Sequence, residues 1–213
     1  VCDKLVGMFG FVVVTQDSTG KRTGVLAARD KIGIKPLYMG KTRDGREIVF
    51  SSELKGISDQ CDPKDITQIP AGHYWTPETG LVKYYNPTWD QDDDDILNPT
   101  PTTKYTTGEE CKQALEEAVI TRCMADVEIG LFLSGGLDSS IIGGIMLDPR
   151  VRKYLTATKG KLKSFAVGQE GSPDILAARA VSKYLGTDHY EAIFTPDMAF
   201  DVLEKIIWHM ETY

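Results

Sequence analysis

The sequence predicts two domains of different class: antiparallel β over residues 1–87, then α/β with a doubly wound parallel sheet over residues 109–213. Three observations carry this. β-branched and aromatic runs punctuated by turn residues fill the first stretch. Clustered acids, threonines and prolines without period follow at 88–108, which reads as a linker. Beyond it, short apolar runs alternate with amphipathic segments bounded by capping residues, the pattern of a parallel sheet with crossover helices.

Taken in order, "MFGFVVVT" (8–15) is a strand, and the polar "QDSTGK" after it is a turn. "GVLAARD" (24–30) is a second strand. "PLYMGK" and "REIVFSS" flank Asp44-Gly45, a two-residue hairpin signal, and "GHYWTP" and "GLVKYY" flank Glu78-Thr79 in the same way. One short helix fits 52–57. The acidic run Asp92–Asp95 lacks the alternating acids and central glycine of a calcium loop, so it reads as a solvated tether. Residues 109–125 set Cys111, Leu115, Ala118, Val119 and Arg122 at helical spacing. "IGLFL", "KSFAVG" and "HYEAIF" are short strands, and helices are predicted at 139–147, 173–185 and 197–211. The second of these has Ser172 as N-cap, Pro173 at its first position and Gly186 as terminator.

The balance of 41% hydrophobic and 26% charged residues, with mean hydropathy −0.23, is that of an ordinary globular chain. A net charge of −7 argues against nucleic acid or an anionic membrane as the main partner. No apolar stretch approaches the ~18 residues that span a bilayer, and no leader pattern opens the sequence, so the cytoplasm is the expected location. Cys2, Cys61, Cys111 and Cys123 form no CxxC pair and lie far in sequence from His73, His189 and His209. Reduced thiols are expected, not a disulfide framework or a zinc site. The sequence opens on Val1, and "VLEKIIWHMETY" is still in helical period where it stops, so a longer parent chain is expected.

The stretch richest in chemistry is "LFLSGGLDSS" (131–140), an aliphatic run, two glycines, and an aspartate beside two serines. Gly135 and Gly136 expose backbone N–H groups, and the helix start adds partial positive charge, so the loop suits an anion. It lacks the GxxxxGK[ST] spacing and carries no lysine. Asp138 would repel a bare polyphosphate; with Mg²⁺ between them, carboxylate and phosphate oxygens share a hard cation. The bland alternative is a strand-to-helix turn in which Asp138 only favours the helix N-terminus. The next strand ends in "FAVG", which puts Val167 and Gly168 at a carboxyl edge, where nucleotides bind in open α/β sheets.

SGGLDSS between strand and helix resembles the SGGxDS loop of the ATP pyrophosphatases. "KSFAVGQEGSPDILAARAVSKYLGTDHYEAIFT" and "WHMETY" resemble the synthetase domain of the glutamine-hydrolysing asparagine synthetases. "MFGFVVV", "ARDKIGIKPLYMG", "FSSELKGI" and "IPAGHYW" resemble the later half of a class II glutamine amidotransferase domain, an α+β domain of N-terminal-nucleophile type. The resemblance implies activation of aspartate by ATP to β-aspartyl-AMP with release of pyrophosphate, then attack by ammonia freed from glutamine. It implies that Leu133, Val167 and Gly168 contact the nucleotide, that Ser134, Gly135, Gly136, Ser139 and Ser140 surround its phosphates, and that Asp138 holds magnesium. A homodimer of the full-length parent fits the same family.

The family's cysteine nucleophile is a chain's first residue; Cys2 follows Val1 in a segment internal to the family's domain, so it is not assigned that role. The nucleophile and the adenylating lysine and glutamate are expected outside these residues, and the stretch alone is expected to be inactive in synthesis. Arg29, Asp30, Gly33, Lys35 and Pro36 form an "RDxxGxKP" turn, read as a fixed loop with an Arg–Asp pair instead of a site wall. His189 is read as a packing residue, and Trp208 and Met210 as core positions of the last helix. Two other readings stay open: a β-lactam synthetase, which adenylates a carboxylate for ring closure, and a non-catalytic nucleotide-binding regulator of the same architecture.

Overall fold

The computed structural model describes residues 1–87 and 106–211, so the segment read as a linker lies almost wholly outside the described residues. These residues form two compact units, 1–87 with 207–211, and 106–206.

The first unit holds seven strands: β1 (Gly10–Gln16), β2 (Arg22–Arg29), β3 (Tyr38–Thr42), β4 (Ile48–Ser51), β5 (Cys61–Gln68), β6 (His73–Thr76) and β7 (Gly80–Lys83). They make two sheets, in the orders β1-β2-β6-β7 and β4-β3-β5, with every pair antiparallel. Ala27, Leu37 and Ile69 are buried at the centre, with Val12, Met39, Phe50 and Trp75 packed around them. The hairpin at Asp44-Gly45 is wider than the two-residue turn predicted: Lys41 pairs with Ile48, and Thr42 N–H bonds Glu47 O. The short helix expected at 52–57 is a 3-10 turn, Leu54–Gly56. β5 is not signalled by sequence pattern, since "CDPKDITQ" is polar and contains Pro63. As an edge strand it tolerates that proline. Gly40 makes the pairing possible, because a Cβ there would sit 2.7 Å from Cys61 Sγ.

The RDxxGxKP turn ties this unit together, though Arg29 and Asp30 do not pair with each other as the sequence suggested. The Arg29 guanidinium donates to the carbonyls of Lys35 (2.8 Å), Gly33 (2.6 Å) and Ile69 (2.9 Å). The Asp30 carboxylate, in a residue 1% exposed, accepts from the N–H groups of Phe9, Ile34 and Lys35. Burial alone would raise its pKa; the donors outweigh burial and hold the carboxyl below its ordinary range. Tyr84 Oη donates to Arg29 O at 2.7 Å, and burial pushes that phenol up to about 12.

In the second unit, β8 (Gly130–Phe132), β9 (Lys163–Gly168) and β10 (Asp188–Ile193) form a parallel sheet in the order β10-β9-β8. Helices α1 (Gly108–Thr121), α2 (Leu137–Leu147), α3 (Pro149–Arg152), α4 (Pro173–Leu185) and α5 (Pro196–Asp201) accompany it, and α6 (Leu203–Met210) follows. α1 opens on a reciprocal capping box between Thr107 and Glu110. α4 has the predicted Ser172 cap, Pro173 and left-handed Gly186. The helix expected at 197–211 breaks at Val202 into α5 and α6, and nothing in the structure explains the break. Trp208 and Met210 are 59% and 65% exposed, which overturns their reading as core.

One face of the sheet is covered. Leu131 and Leu133 join Val119, Met146, Val151 and Leu162 in the main core, and Ala166 meets Ile175 and Ala178 of α4. Burying each leucine or isoleucine there is worth on the order of 2 kcal/mol. Residues of opposite parity form an aromatic row across the strands, Phe132 to Phe165 at 6.4 Å and Phe165 to Tyr190 at 5.5 Å. Among the described residues no helix is long and apolar enough to cross a membrane.

Candidate functional site

β8 ends against β9, with Leu133 N–H donating to Phe165 O at 2.8 Å, and the chain then turns through Ser134, Gly135 and Gly136 into α2. The helix begins two residues before the predicted Ser139, so Asp138 sits within its first turn. The two glycines do different things. Gly135 has φ +77°, and a Cβ there would lie 2.4 Å from Ala177 C and 2.5 Å from Ala178 N, so the loop rests directly on the backbone of α4. Gly136 has φ −69°, and a Cβ there would meet only Ser134 Oγ at 3.4 Å. Space lies open above it.

Gly136 is also the N-cap of α2, and no side chain caps that helix. By contrast Thr107, Asp148, Ser172 and Thr195 cap α1, α3, α4 and α5. A helix start leaves N–H groups without intrahelical partners; Ser134 Oγ accepts that of Gly136 at 3.3 Å, and no side chain among the described residues takes those of Leu137, Asp138 and Ser139. The serine hydroxyls face the loop itself. Ser134 Oγ lies 3.0 Å from Ser139 Oγ, Ser139 Oγ donates to Gly136 O at 3.2 Å, and Ser140 Oγ donates to the same carbonyl at 2.6 Å. Asp138 is exposed and has no hydrogen-bond or ion-pair partner among the described residues.

Beside the loop, a cleft of about 170 Å³ is lined by Phe132, Leu133, Ser134, Phe165, Ala166, Val167, Asp174 and Ile175. Its walls are mostly apolar and aromatic, a fit for a planar ring. Leu133 is 1% exposed and offers backbone, whereas Val167 is 62% exposed at the rim. Gly168 lies beneath α4, since a Cβ there would stand 2.7 Å from Ile175 Cγ1. The structure thus gathers Leu133 to Ser140 on one loop, with Val167 and Gly168 on the adjacent strand end. Asp174, the ionisable residue of the cleft, was missed by sequence reasoning; an acid in the first turn of the helix after β9 was the signal available. A larger cavity of about 390 Å³ has an apolar lining that includes Leu115, Val119, Leu131, Phe132 and Met146, with Arg122, which donates to Ala118 O at 2.8 Å, as its charged group.

Among the described residues no group of three or more His, Cys, Asp or Glu is arranged to hold a metal. A cation at this loop would rest on Asp138 together with ligand oxygens. His189 serves packing, as predicted: Nδ1 lies 2.8 Å from Ser164 Oγ, and Nε2 lies 3.4 Å from Glu191 Oε1. Arg179 holds Glu191 through Nε at 2.8 Å and Nη2 at 2.7 Å, which keeps that carboxyl below its ordinary range.

Comparison with known proteins gives two family matches in order along the chain: a glutamine amidotransferase domain over residues 1–59 and asparagine synthase over residues 110–213. Rice (Oryza sativa subsp. japonica) asparagine synthetase [glutamine-hydrolyzing] 2 is 42% identical over 99% of the chain. In both matched stretches the chain is similar to the asparagine synthetases. The Zea mays asparagine synthetase is also 42% identical, and Arabidopsis thaliana asparagine synthetase 2 is 41% identical, each over 99% of the chain. The chain spans about a third of the length of these asparagine synthetases, 34% in each case. The glycine loop, the cleft and Asp138 all fall in the stretch matched to asparagine synthase.

Proposed function

We propose that this chain is part of an ATP-dependent ligase that makes asparagine from aspartate, with nitrogen taken from glutamine. The observation that carries the reading is the uncapped start of α2 behind an open Gly136, in a segment matched to asparagine synthase. Free N–H groups at a helix start favour an anion through hydrogen bonds and the helix dipole together. The neighbouring cleft suits the adenine ring, held by the backbone of Leu133 and the strand end at Val167 and Gly168. Ser134, Gly135, Gly136, Ser139 and Ser140 surround the phosphates in this reading, the two distal hydroxyls turning away from Gly136 O to do so.

The aspartate side-chain carboxylate attacks the α-phosphorus, the bond to the bridging oxygen breaks, and pyrophosphate leaves. The N–H groups of α2's first turn stabilise the charge that builds on the leaving group. Ammonia then attacks the acyl carbon of β-aspartyl-AMP and expels AMP. Magnesium fits the donor set, since Asp138 is exposed and unpaired among the described residues, and when bound it would neutralise phosphate charge there. No catalytic residue is assigned within the chain, and these residues alone are proposed to be inactive in synthesis.

The same reading divides the protein into an amidotransferase part at 1–87, a linker at 88–108 and a synthetase part at 109–213. It takes the first part as the later half of an N-terminal-nucleophile domain. It takes the second as part of a doubly wound sheet, with the glycine loop at the carboxyl end of β8, where such sheets bind nucleotides. Cytoplasmic location and a homodimer of the full-length protein belong to the proposal. The names of the relatives favour an asparagine product over a β-lactam. In the full-length protein, Asp138→Ala should abolish Mg²⁺-dependent exchange of pyrophosphate into ATP and leave glutamine hydrolysis largely intact. Equal loss of both activities in a folded variant would count against the reading.

A further inference from the structure

The glycine loop makes no use of a carboxylate that the fold holds in an unusual way. Among the described residues Glu211 is the one non-glycine residue with positive φ, at 57°. Left-handed backbone is unfavourable for a residue that carries a side chain, so something must offset it. The Glu211 carboxylate accepts from Leu54 N–H at 2.6 Å, from Lys55 N–H at 2.7 Å and from Lys55 Nζ at 3.2 Å. Those two N–H groups open the Leu54–Gly56 turn, whose own N-cap residue, Glu53, supplies no side-chain bond. Glu211 caps that turn from 157 residues away.

The contact is not a loose surface ion pair, which would be worth little. The side chains of Glu211 and Lys55 are 12% and 19% exposed. Trp208 brings its ring to 4.8 Å from the same ammonium, which also meets Glu53 at 3.2 Å. Burial disfavours the Glu211 charge, yet the donors hold its carboxyl below the ordinary range. Leu54 and Lys55 lie in the stretch matched to the glutamine amidotransferase domain, and Glu211 in the stretch matched to asparagine synthase. All of them pack within the first compact unit.

We infer that Glu211 is a positioning residue that ties the end of the synthase-matched segment to the amidotransferase-matched segment, so that nitrogen released from glutamine is used for synthesis. This rests on the proposed glutamine-dependent reaction. Two backbone N–H groups and one ammonium fix the carboxylate in both distance and direction, which a single long ion pair does not do.

The test compares Glu211→Ala and Glu211→Gln in the full-length protein, with Glu204→Ala, an exposed acid on α6, as control. Amide exchange at Leu54 and Lys55 should rise about tenfold or more in Glu211→Ala, the loss of a charged acceptor read as local opening. Glutamine-dependent synthesis should fall about tenfold while ammonium-dependent synthesis and glutamine hydrolysis stay within about twofold, as expected when a coupling contact is lost. Glutamate released per asparagine then rises, and Glu211→Gln, which keeps one acceptor oxygen, lies between. Parallel loss with both nitrogen sources, or an unchanged glutamate-to-asparagine ratio, overturns the inference. If Glu211→Ala does not fold, Glu211→Gln and Lys55→Met carry the same comparison. A wild type that makes no asparagine from either source sinks the proposed function; unchanged exchange at Leu54 and Lys55 still overturns the contact on its own.

Discussion

Two turns in this chain look alike in sequence and behave as opposites. The Arg29–Pro36 turn and the Ser134–Ser140 loop each set glycine beside an aspartate at the end of a strand. In the first, Asp30 is 1% exposed and its carboxylate is surrounded by three backbone N–H groups. Arg29 is likewise satisfied by three carbonyls. In the second, Asp138 is exposed with no partner among the described residues, no side chain caps the helix start, and Gly136 faces open space. A closed turn uses its charge to hold its own backbone. An open one keeps charge and N–H groups available to something else. The lesson is that polar residues at a glycine turn suggest a site only where their hydrogen-bonding capacity is left over.

The largest effect on stability should come from the closed turn. Asp30→Ala removes the acceptor of three part-buried donors and should cost about 3 kcal/mol, measured by urea unfolding. The folded carboxyl sits below its unfolded value, so this contribution is complete above about pH 4 and is lost as pH falls through the lowered value. The gap between wild type and Asp30→Ala should therefore be flat from about pH 5 to 8 and shrink in acid. A gap that stayed constant in acid would mean that Asp30 acts by packing alone.

Gly135→Ala comes next, at about 2–4 kcal/mol, because it combines positive φ with a clash against the backbone of α4. Thermal unfolding of the variant reads it directly. Gly136→Ala should change stability by no more than about 0.5 kcal/mol, since φ is ordinary and space is open. Its effect should fall on ATP–Mg²⁺ affinity in the full-length protein, followed by titration calorimetry. If Gly136→Ala unfolds the protein while the residual folded fraction binds ATP normally, the contrast between closed turn and open loop is lost.

Sequence patterning identified those elements whose ends are fixed locally. Ser172, Pro173 and Gly186 bound α4, and each acts through its own backbone or the next few residues. β5 was unreadable for the opposite reason. Its polar residues and Pro63 take extended form only because β3 offers an edge and Gly40 leaves room for Cys61. At the site, the loop and its helix were readable from the glycine pair, but the division of labour within the pair was not. Gly135 is required by α4, whose contacting Ala177 and Ala178 come more than forty residues later in the chain, and no local pattern encodes that approach.

The aromatic row of Phe132, Phe165 and Tyr190 bears on how the protein is made. Phe132 is 80% exposed and Tyr190 48% exposed, on the sheet face opposite the main core. As a ribosome delivers these residues, the helices of the covered face emerge with their strands and can fold at once. The aromatic row has no such partner among the described residues, so its rings stay open to solvent as the strands form. Exposed apolar surface of this kind promotes aggregation during folding, so slowing translation across these strands should lengthen the period in which the rings can meet other chains.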